Sequence, residues 1–392
     1  MIDRIMEITD RIESAVIDFR RKLHRWPETG GREFKTTELI KRELEKLAIE
    51  VEVLTPTGCV GLLKGGKPGG KCIALRADID ALPMTEETGL EYASEREGIM
   101  HACGHDIHTA VLLGAARVLS EIRNELTGTV KFIFQPSEET VGGAVPMIKA
   151  GCMENPKVDY VLGLHVETKI ISGSVGIKYG KVYASSDVFE LTIHGRKTHG
   201  AHPEHGVDAI HAGANVVTAL QGIVSRNVAP TDSAVITIGT FHAGTAMNIV
   251  ADKAEMFGTI RTLTPETRAV VKSRLIKTVE SVAAAYGATA DVKMTDGYES
   301  LINDDDVTRL VESEIAEIIG SENTIHLKDP SLGVEDFAFY LNEAPGTYYF
   351  LGCGYHDRDN AVIHSGKFEP DEGCIRIGIQ LQVACCLKLM KQ

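Results

Sequence analysis

The sequence predicts an α/β fold: a catalytic domain built on a mostly parallel sheet, with a smaller α+β domain inserted into it. Three observations predict it. Near-continuous apolar runs alternate with helix-period segments over the first part of the chain. Near residue 185 the order changes to β-α-β-β-α-β, the ferredoxin-like split unit. After residue 300 helices and one strand return.

Taken in order, apolar residues recur at helical spacing over 10–24 and 35–47. Strand-like runs follow at IEVEVL (49–54), CIALRAD (72–78), VKFIFQ (130–135) and DYVLGLH (159–165). Helix patterns at 106–122 and 142–150 lie between them. Apolar strands separated by helices indicate a sheet covered on both faces. In the inserted segment FELTIHG (189–195), SAVITIGTFHAG (233–244), DKAEMFGTIRT (252–262) and ATADVKMT (288–295) read as strands. DAIHAGANVVTALQGIV (208–224) reads as a helix, as does 265–287, which opens on Pro and closes on Gly. The remainder is expected to form helices at 305–319, 335–341 and 371–390 and a strand at 347–352. The domain boundaries expected are therefore 1–184 and 299–392 for the catalytic domain and 185–298 for the insert.

Composition narrows the function classes. Lys and Arg number 41 against 55 Asp and Glu, a formal charge of −14. A phosphate-binding surface needs the opposite sign, so no nucleic-acid partner is expected. No apolar run is long enough to cross a bilayer, so no membrane association is expected. The start, MIDRIMEITDRIESAVIDF, is charged throughout and reads as an amphipathic helix rather than an export signal. Eight cysteines in 392 residues are expected to be reduced thiols, which points to a cytoplasmic protein.

Potential metal ligands fall at the ends of the predicted elements. Asp78 ends CIALRAD, Glu138 and Glu139 follow VKFIFQ, and His165 ends DYVLGLH. Cys103 and His105 sit in HACGHDIH just before a helix. In parallel α/β sheets, sites form beyond the carboxyl ends of strands and at helix N-termini. A lone Cys is usually a small buried hydrophobe, and a Glu pair past a strand is usually solvated loop. Such groups at four element ends together instead make a ligand set with S, N and O donors.

RKLHRWPE, ALRADIDALP, MHACGHDIHTA, FQPSEE, GLHV, MNIVADKAEMFGTIRT, GVEDFAFY and IHSGKFEPDE occur in that order. Over nearly the whole chain they resemble the metallopeptidase family of bacterial aminoacylases, hippurate hydrolases and plant indole-acetyl-amino-acid hydrolases. The resemblance implies a catalytic domain of two-metal exopeptidase type. It implies that Cys103, His105, Glu139, His165 and His364 hold two divalent cations per chain, with Zn, Mn, Co and Ni not distinguished. It implies that Glu138 is the catalytic carboxylate and that Asp78 orients a ligand imidazole. More distant relatives place a metal-binding His where this chain has Arg76. His108, Asp106 and the Glu335-Asp336 pair also match motifs, with helix capping and core hydrogen bonds as their plain reading.

GRKTHGAHPEHGVDAI resembles the family's lid motif, although Lys197-Thr198 stand where Gly-Gly or Gly-Ser is common. On this resemblance His199 enters the active site, and Asn248 and Arg261 hold the substrate's carboxylate. Arg suits that task because its planar fork pairs two oxygens. The insert is expected to act as lid and as the interface of a homodimer. The activity implied is hydrolysis of the amide bond of an N-acyl amino acid or a similar dipeptide-like small molecule.

Three rival readings make different predictions. A cysteine hydrolase with Cys103 as nucleophile would survive chelators. A non-enzymatic protein would keep one closed, four-ligand structural ion. A dipeptidase or aminopeptidase of the same fold needs an acidic cluster to read an ammonium, and none stands out.

Overall fold

The computed structural model describes residues 1–392 as two compact units. One comprises 1–180, 302–329 and 336–392; the other comprises 181–301 and 330–335. The smaller unit therefore includes a short segment, 330–335, from beyond the stretch expected to form the insert.

The larger unit is built on an eight-stranded sheet. Its strand order is Glu50–Glu52, Cys59–Lys64, Thr127–Gln135, Lys67–Asp78, Tyr160–Ile171, Gly346–Gly354, Val175–Ile177 and Thr324–His326. The four central strands, from Thr127–Gln135 to Gly346–Gly354, run parallel to one another. Antiparallel pairings flank them on both sides. The strand Cys59–Lys64 has no counterpart among the sequence expectations.

The central strands Thr127–Gln135 and Gly346–Gly354 carry near-continuous buried runs, VKFIFQ in the first and the whole of the second, as strands covered on both faces do. The helices Ile2–Arg25, His105–Glu121, Asp305–Ile319 and Cys374–Leu389 share one hydrophobic core with them. His105–Glu121 is buried nearly all round, which explains its weak amphipathic pattern. Eight unpaired cysteines, all buried, lie in this unit. No helix is long and apolar enough to cross a membrane.

The smaller unit has a four-stranded antiparallel sheet in the order Ala234–Ala243, Lys253–Thr262, Ser185–His194, Thr289–Asp296. Two helices, Ala209–Asn227 and Pro265–Ala285, connect its strands in the β-α-β-β-α-β order. Phe189, Leu191 and Ile193 alternate inward with Val188, Glu190 and Thr192, so one face meets the helices. Local chemistry sets the helix starts. Asp208 accepts from Ile210 N and His211 N, and Thr264 accepts from Thr267 N just ahead of Pro265. Beyond the sheet, Thr198–His199 pairs with Ile249–Val250, prolonging the ribbon that Ser185–His194 forms with Lys253–Thr262.

Candidate metal centre

The parallel strands bring the candidate ligands to one edge of the larger unit's sheet. Asp78 is in register with Gln135, and Glu138 and Glu139 follow three and four residues later. The loop turns at Ser137, whose φ of 61° is left-handed. Glu33 clamps that turn by accepting from Ser137 N at 2.9 Å. His165 lies inside its strand, which runs on to Ile171. The neighbouring strand stops pairing at Gly163, opposite Arg76, and this frees the His165 side for the site.

Cys103 and His105 flank Gly104. Its φ is 89°, and a Cβ there would stand 2.3 Å from Val166 Cγ2. Glycine alone lets the start of helix His105–Glu121 approach the strand that carries His165. His364 joins through its backbone, donating from N to Ala102 O at 2.8 Å with a φ of 60°.

All five expected ligands converge. Cys103 Sγ is 3.2 Å from His165 Nε2 and 3.3 Å from His364 Nε2. Glu139 Oε1 is 3.0 Å from His364 Nε2 and 4.0 Å from His105 Nε2. Glu138 stands with His105 and Glu139 in a group whose ligand atoms all lie within 4.8 Å of one another. Metal–ligand bonds of about 2.0–2.3 Å in a tetrahedron put neighbouring donors roughly 3.3–3.8 Å apart. The observed spacings fit that range or lie close to it. Glu139 Oε1 is buried without a hydrogen bond of good geometry, as befits an atom that faces a cation.

Tautomers point the same way. His165 Nδ1 donates to Val166 O at 2.6 Å, and His105 Nδ1 lies 3.2 Å from Asp80 Oδ1. Both rings then present Nε2 lone pairs to the centre. Burial pushes the Cys103 thiol well above its usual range, despite the opposing pull of His105. A cation there would remove that proton outright.

Asp78 departs from its expected partner. Its Oδ1 is 2.6 Å from His108 Nδ1, while its approach to the expected ligand His105 is only 3.8 Å. His108 Nε2 in turn accepts from Val166 N at 2.9 Å. Both ring nitrogens of His108 are thereby committed to protein, so its place in a cluster with Asp78 and His105 is not a metal site. Burial drives its pKa down to about 4 against the pull of Asp78. Burial would raise the Asp78 carboxyl, but His105, Arg76 and His108 outweigh it and hold it well below the usual carboxylate range.

Arg76, buried, binds Asp78 Oδ2 at 2.6 Å, Gln135 Oε1 at 2.9 Å and Asp336 Oδ1 at 2.8 Å. Asp336 also accepts from Gly143 N and Ala144 N beyond the Glu138-Glu139 loop. Asp106, next to His105, meets Arg20 Nε and His24 Nδ1, each at 2.7 Å. Sequence reasoning missed Asp80, Glu33, Arg20 and His24 as parts of this surround. The motifs RKLHRWPE and ALRADIDALP contain the last two basic residues' neighbourhood and Asp80, but not their partners.

The smaller unit divides the three expected substrate residues. His199 and Asn248 are neighbours: Gly200 N donates to Asn248 O at 2.7 Å, and His199 is in register with Ile249. Arg261 lies at the other end of the ladder, opposite Ser186, whereas Lys253 opposite His194 marks the end nearest the ribbon. Eight strand steps of about 3.4 Å separate Lys253 from Arg261, about 27 Å before the ribbon is added. Asn248 and Arg261 of one chain therefore stand too far apart to grip one carboxylate together. Arg261 keeps Nη1 buried and without a partner, and burial lowers its pKa.

Comparison with known proteins agrees with this architecture. The chain is 40% identical over 385 residues to thermostable carboxypeptidase 1 of Saccharolobus solfataricus, covering 96% of each chain. It is 41% identical over 367 residues to an N-acetyl-L-cysteine deacetylase of Bacillus subtilis, covering 93% of this chain and 85% of that one. A Bacillus subtilis crystal structure described as a dinuclear metal-binding peptidase superposes with a TM-score of 0.85 at 35% identity, covering 97% of this chain and 99% of the other. Residues 74–388 match peptidase family M20/M25/M40, and the chain belongs to that family of metal-dependent hydrolases of amide and peptide bonds.

Proposed function

We propose that this protein hydrolyses the amide bond of N-acyl amino acids, with an acetyl, benzoyl or similar acyl group, to a carboxylic acid and a free amino acid. The observation that carries the reading is the convergence of Cys103, His105, Glu139, His165 and His364 around one buried edge beside Glu138. Cys103, His105, Glu139, His165 and His364 would hold two divalent cations. Bound there, the cations would supply a Lewis acid for the carbonyl and a lowered pKa for water.

The chain's own residues do the rest. Glu138 takes a proton from the attacking water on its carboxylate and passes it to the leaving amine nitrogen. His105 and His165, fixed through Nδ1, keep their Nε2 atoms towards the centre. Arg261, with Nη1 unpaired, reads the α-carboxylate of the amino-acid half. Because His199 and Asn248 stand a strand's length from Arg261, a second chain in a homodimer supplies them to the same substrate. Ile210, Phe241 and Met247 are exposed apolar residues of the smaller unit suited to such an interface. We place the enzyme in the cytoplasm on its reduced thiols.

The test is a panel of N-acetyl, N-benzoyl and indole-acetyl amino acids, assayed on metal-stripped protein reloaded with Zn, Mn, Co or Ni. Turnover that needs metal and a free α-carboxylate is expected. Chelator-resistant turnover would return the cysteine-hydrolase reading. The relative named a carboxypeptidase favours a second reading, cleavage of a peptide's C-terminal residue. Turnover of dipeptides above all acyl amino acids would select it.

A further inference from the structure

We propose that Asp80 is a positioning residue that holds two of the metal ligands, His105 and Glu139, at once and thereby governs one of the two cation positions. The inference rests on the two-cation reading of the site.

Two periodicities bring the groups together. Asp78 and Asp80 are two residues apart on an extended segment, since Ile79 N still donates to Gln135 O at 2.9 Å. Their side chains therefore leave the same face. His105 and His108 are three apart on a helix, so they too share a face. The two pairs oppose each other in order: Asp78 meets His108 at 2.6 Å and Asp80 meets His105 at 3.2 Å. The first pair ends on a backbone donor, Val166 N. The second reaches the ligands themselves.

Both oxygens of Asp80 are engaged. Oδ1 faces His105 Nδ1, and Oδ2 accepts from Glu139 N at 3.0 Å. One rigid group thus ties the imidazole from the helix start to the backbone of the loop beyond Gln135. Asp80 is itself fully buried, so solvent has no part in the tie. The spacing between His105 Nε2 and Glu139 Oε1, 4.0 Å, is set from behind by this carboxylate. Cys103, His165 and His364 make their close contacts without it.

This arrangement predicts what an amide does in its place. A carboxylate accepts on both oxygens; an Asn accepts on one atom and donates on the other. In Asp80→Asn, either His105 Nδ1 or Glu139 N then faces another donor. The loss falls on the cation position where His105 and Glu139 meet.

The experiment titrates zinc into metal-free wild type, Asp80→Asn and Asp80→Glu by calorimetry with a competing chelator, and records the melting temperature of each metal-free protein. Wild type is expected to bind two ions. Each variant is expected to lose about 10–100-fold in affinity for one ion, with the other unchanged. Their metal-free melting temperatures should stay within a few degrees of wild type. Two ions bound as tightly as in wild type would overturn the proposal. So would equal loss of both ions together with lowered metal-free melting in both variants, which marks a structural role only. Fewer than two ions in the wild type itself would overturn the two-cation reading, whatever the variants do.

Discussion

Arg261 stands near one end of the antiparallel ladder of Lys253–Thr262 with Ser185–His194, eight strand steps from Lys253, and His199 lies in the separate Thr198–His199/Ile249–Val250 ribbon beyond the other end. No rotamer change closes a gap of about 27 Å. If both serve one substrate, they come from different chains. Mixing inactive Glu138→Gln subunits with inactive His199→Ala subunits should then restore activity. A mixed dimer has one site with both native groups, so up to about half of wild-type turnover per mixed dimer is expected. A mixture as inactive as its parts, with subunit exchange verified, would place His199 in cis.

Glu138→Gln should lower kcat by about 10²–10⁴-fold or more, because a carboxamide neither takes nor returns a proton. Metal content, measured by elemental analysis, should remain near the wild-type value. Glu138 belongs with His105 and Glu139 in one cluster, and Glu139 Oε1 lies 3.0 Å from His364 Nε2. Loss of metal in this variant, with retention in Glu139→Gln, would mean that the two glutamates exchange roles.

Arg261→Ala should raise KM for acyl amino acids far more than for the matching amides. A charge-assisted hydrogen bond contributes about 1.5–3 kcal/mol, or roughly 10–150-fold in KM. Its unpaired Nη1 is the basis of this expectation. Equal weakening of both substrate classes would make Arg261 a residue of the sheet and no reader of carboxylate.

Acid stability should report Asp106. Burial would raise its carboxyl, but Arg20 and His24 outweigh that and hold it far below the usual range. A depressed folded pKa contributes stability above the unfolded value, about 3.9, that is lost as pH falls below it. Asp106→Asn leaves the buried Arg20 guanidinium with Glu372 as its remaining carboxylate, 3.2 Å from Nη1, and should cost up to about 3–5 kcal/mol near pH 7. Urea denaturation of metal-free protein should show the gap between wild type and variant narrowing below about pH 4. A gap that stays constant down to pH 3 would show that charge at Asp106 is not the cause.

The convergence of the candidate ligands was legible in the sequence because a parallel sheet delivers strand ends to one edge. Asp78 and Glu138-Glu139 sit where an apolar run stops, and the Cys103–His105 loop sits where a helix begins. His165 was found for a partly mistaken reason: its strand continues, and it is the neighbour's pairing that stops. The strand Cys59–Lys64 went unread although Gly58 and Gly65 bracket its apolar run. Asp80 was hidden because its meaning depends on which of two histidines each aspartate meets, a matter of register between a strand and a helix. The separation of His199 from Arg261 was present in the strand lengths, but motif matching assigns roles without measuring distance.

The contact between Gly104 and Val166 links two kinds of change that usually drift apart. Position 104 lies between two of the proposed ligands, and position 166 follows a third. A methyl group at 104 would fall within 2.3 Å of a Val166 methyl, on a backbone that side chains rarely adopt. Substitutions in the apolar packing of that strand are therefore filtered by chelation, and substitutions in the chelating loop by packing. A methyl at 104 therefore requires the side chain at 166 to give way, and the left-handed backbone at 104 resists it even then.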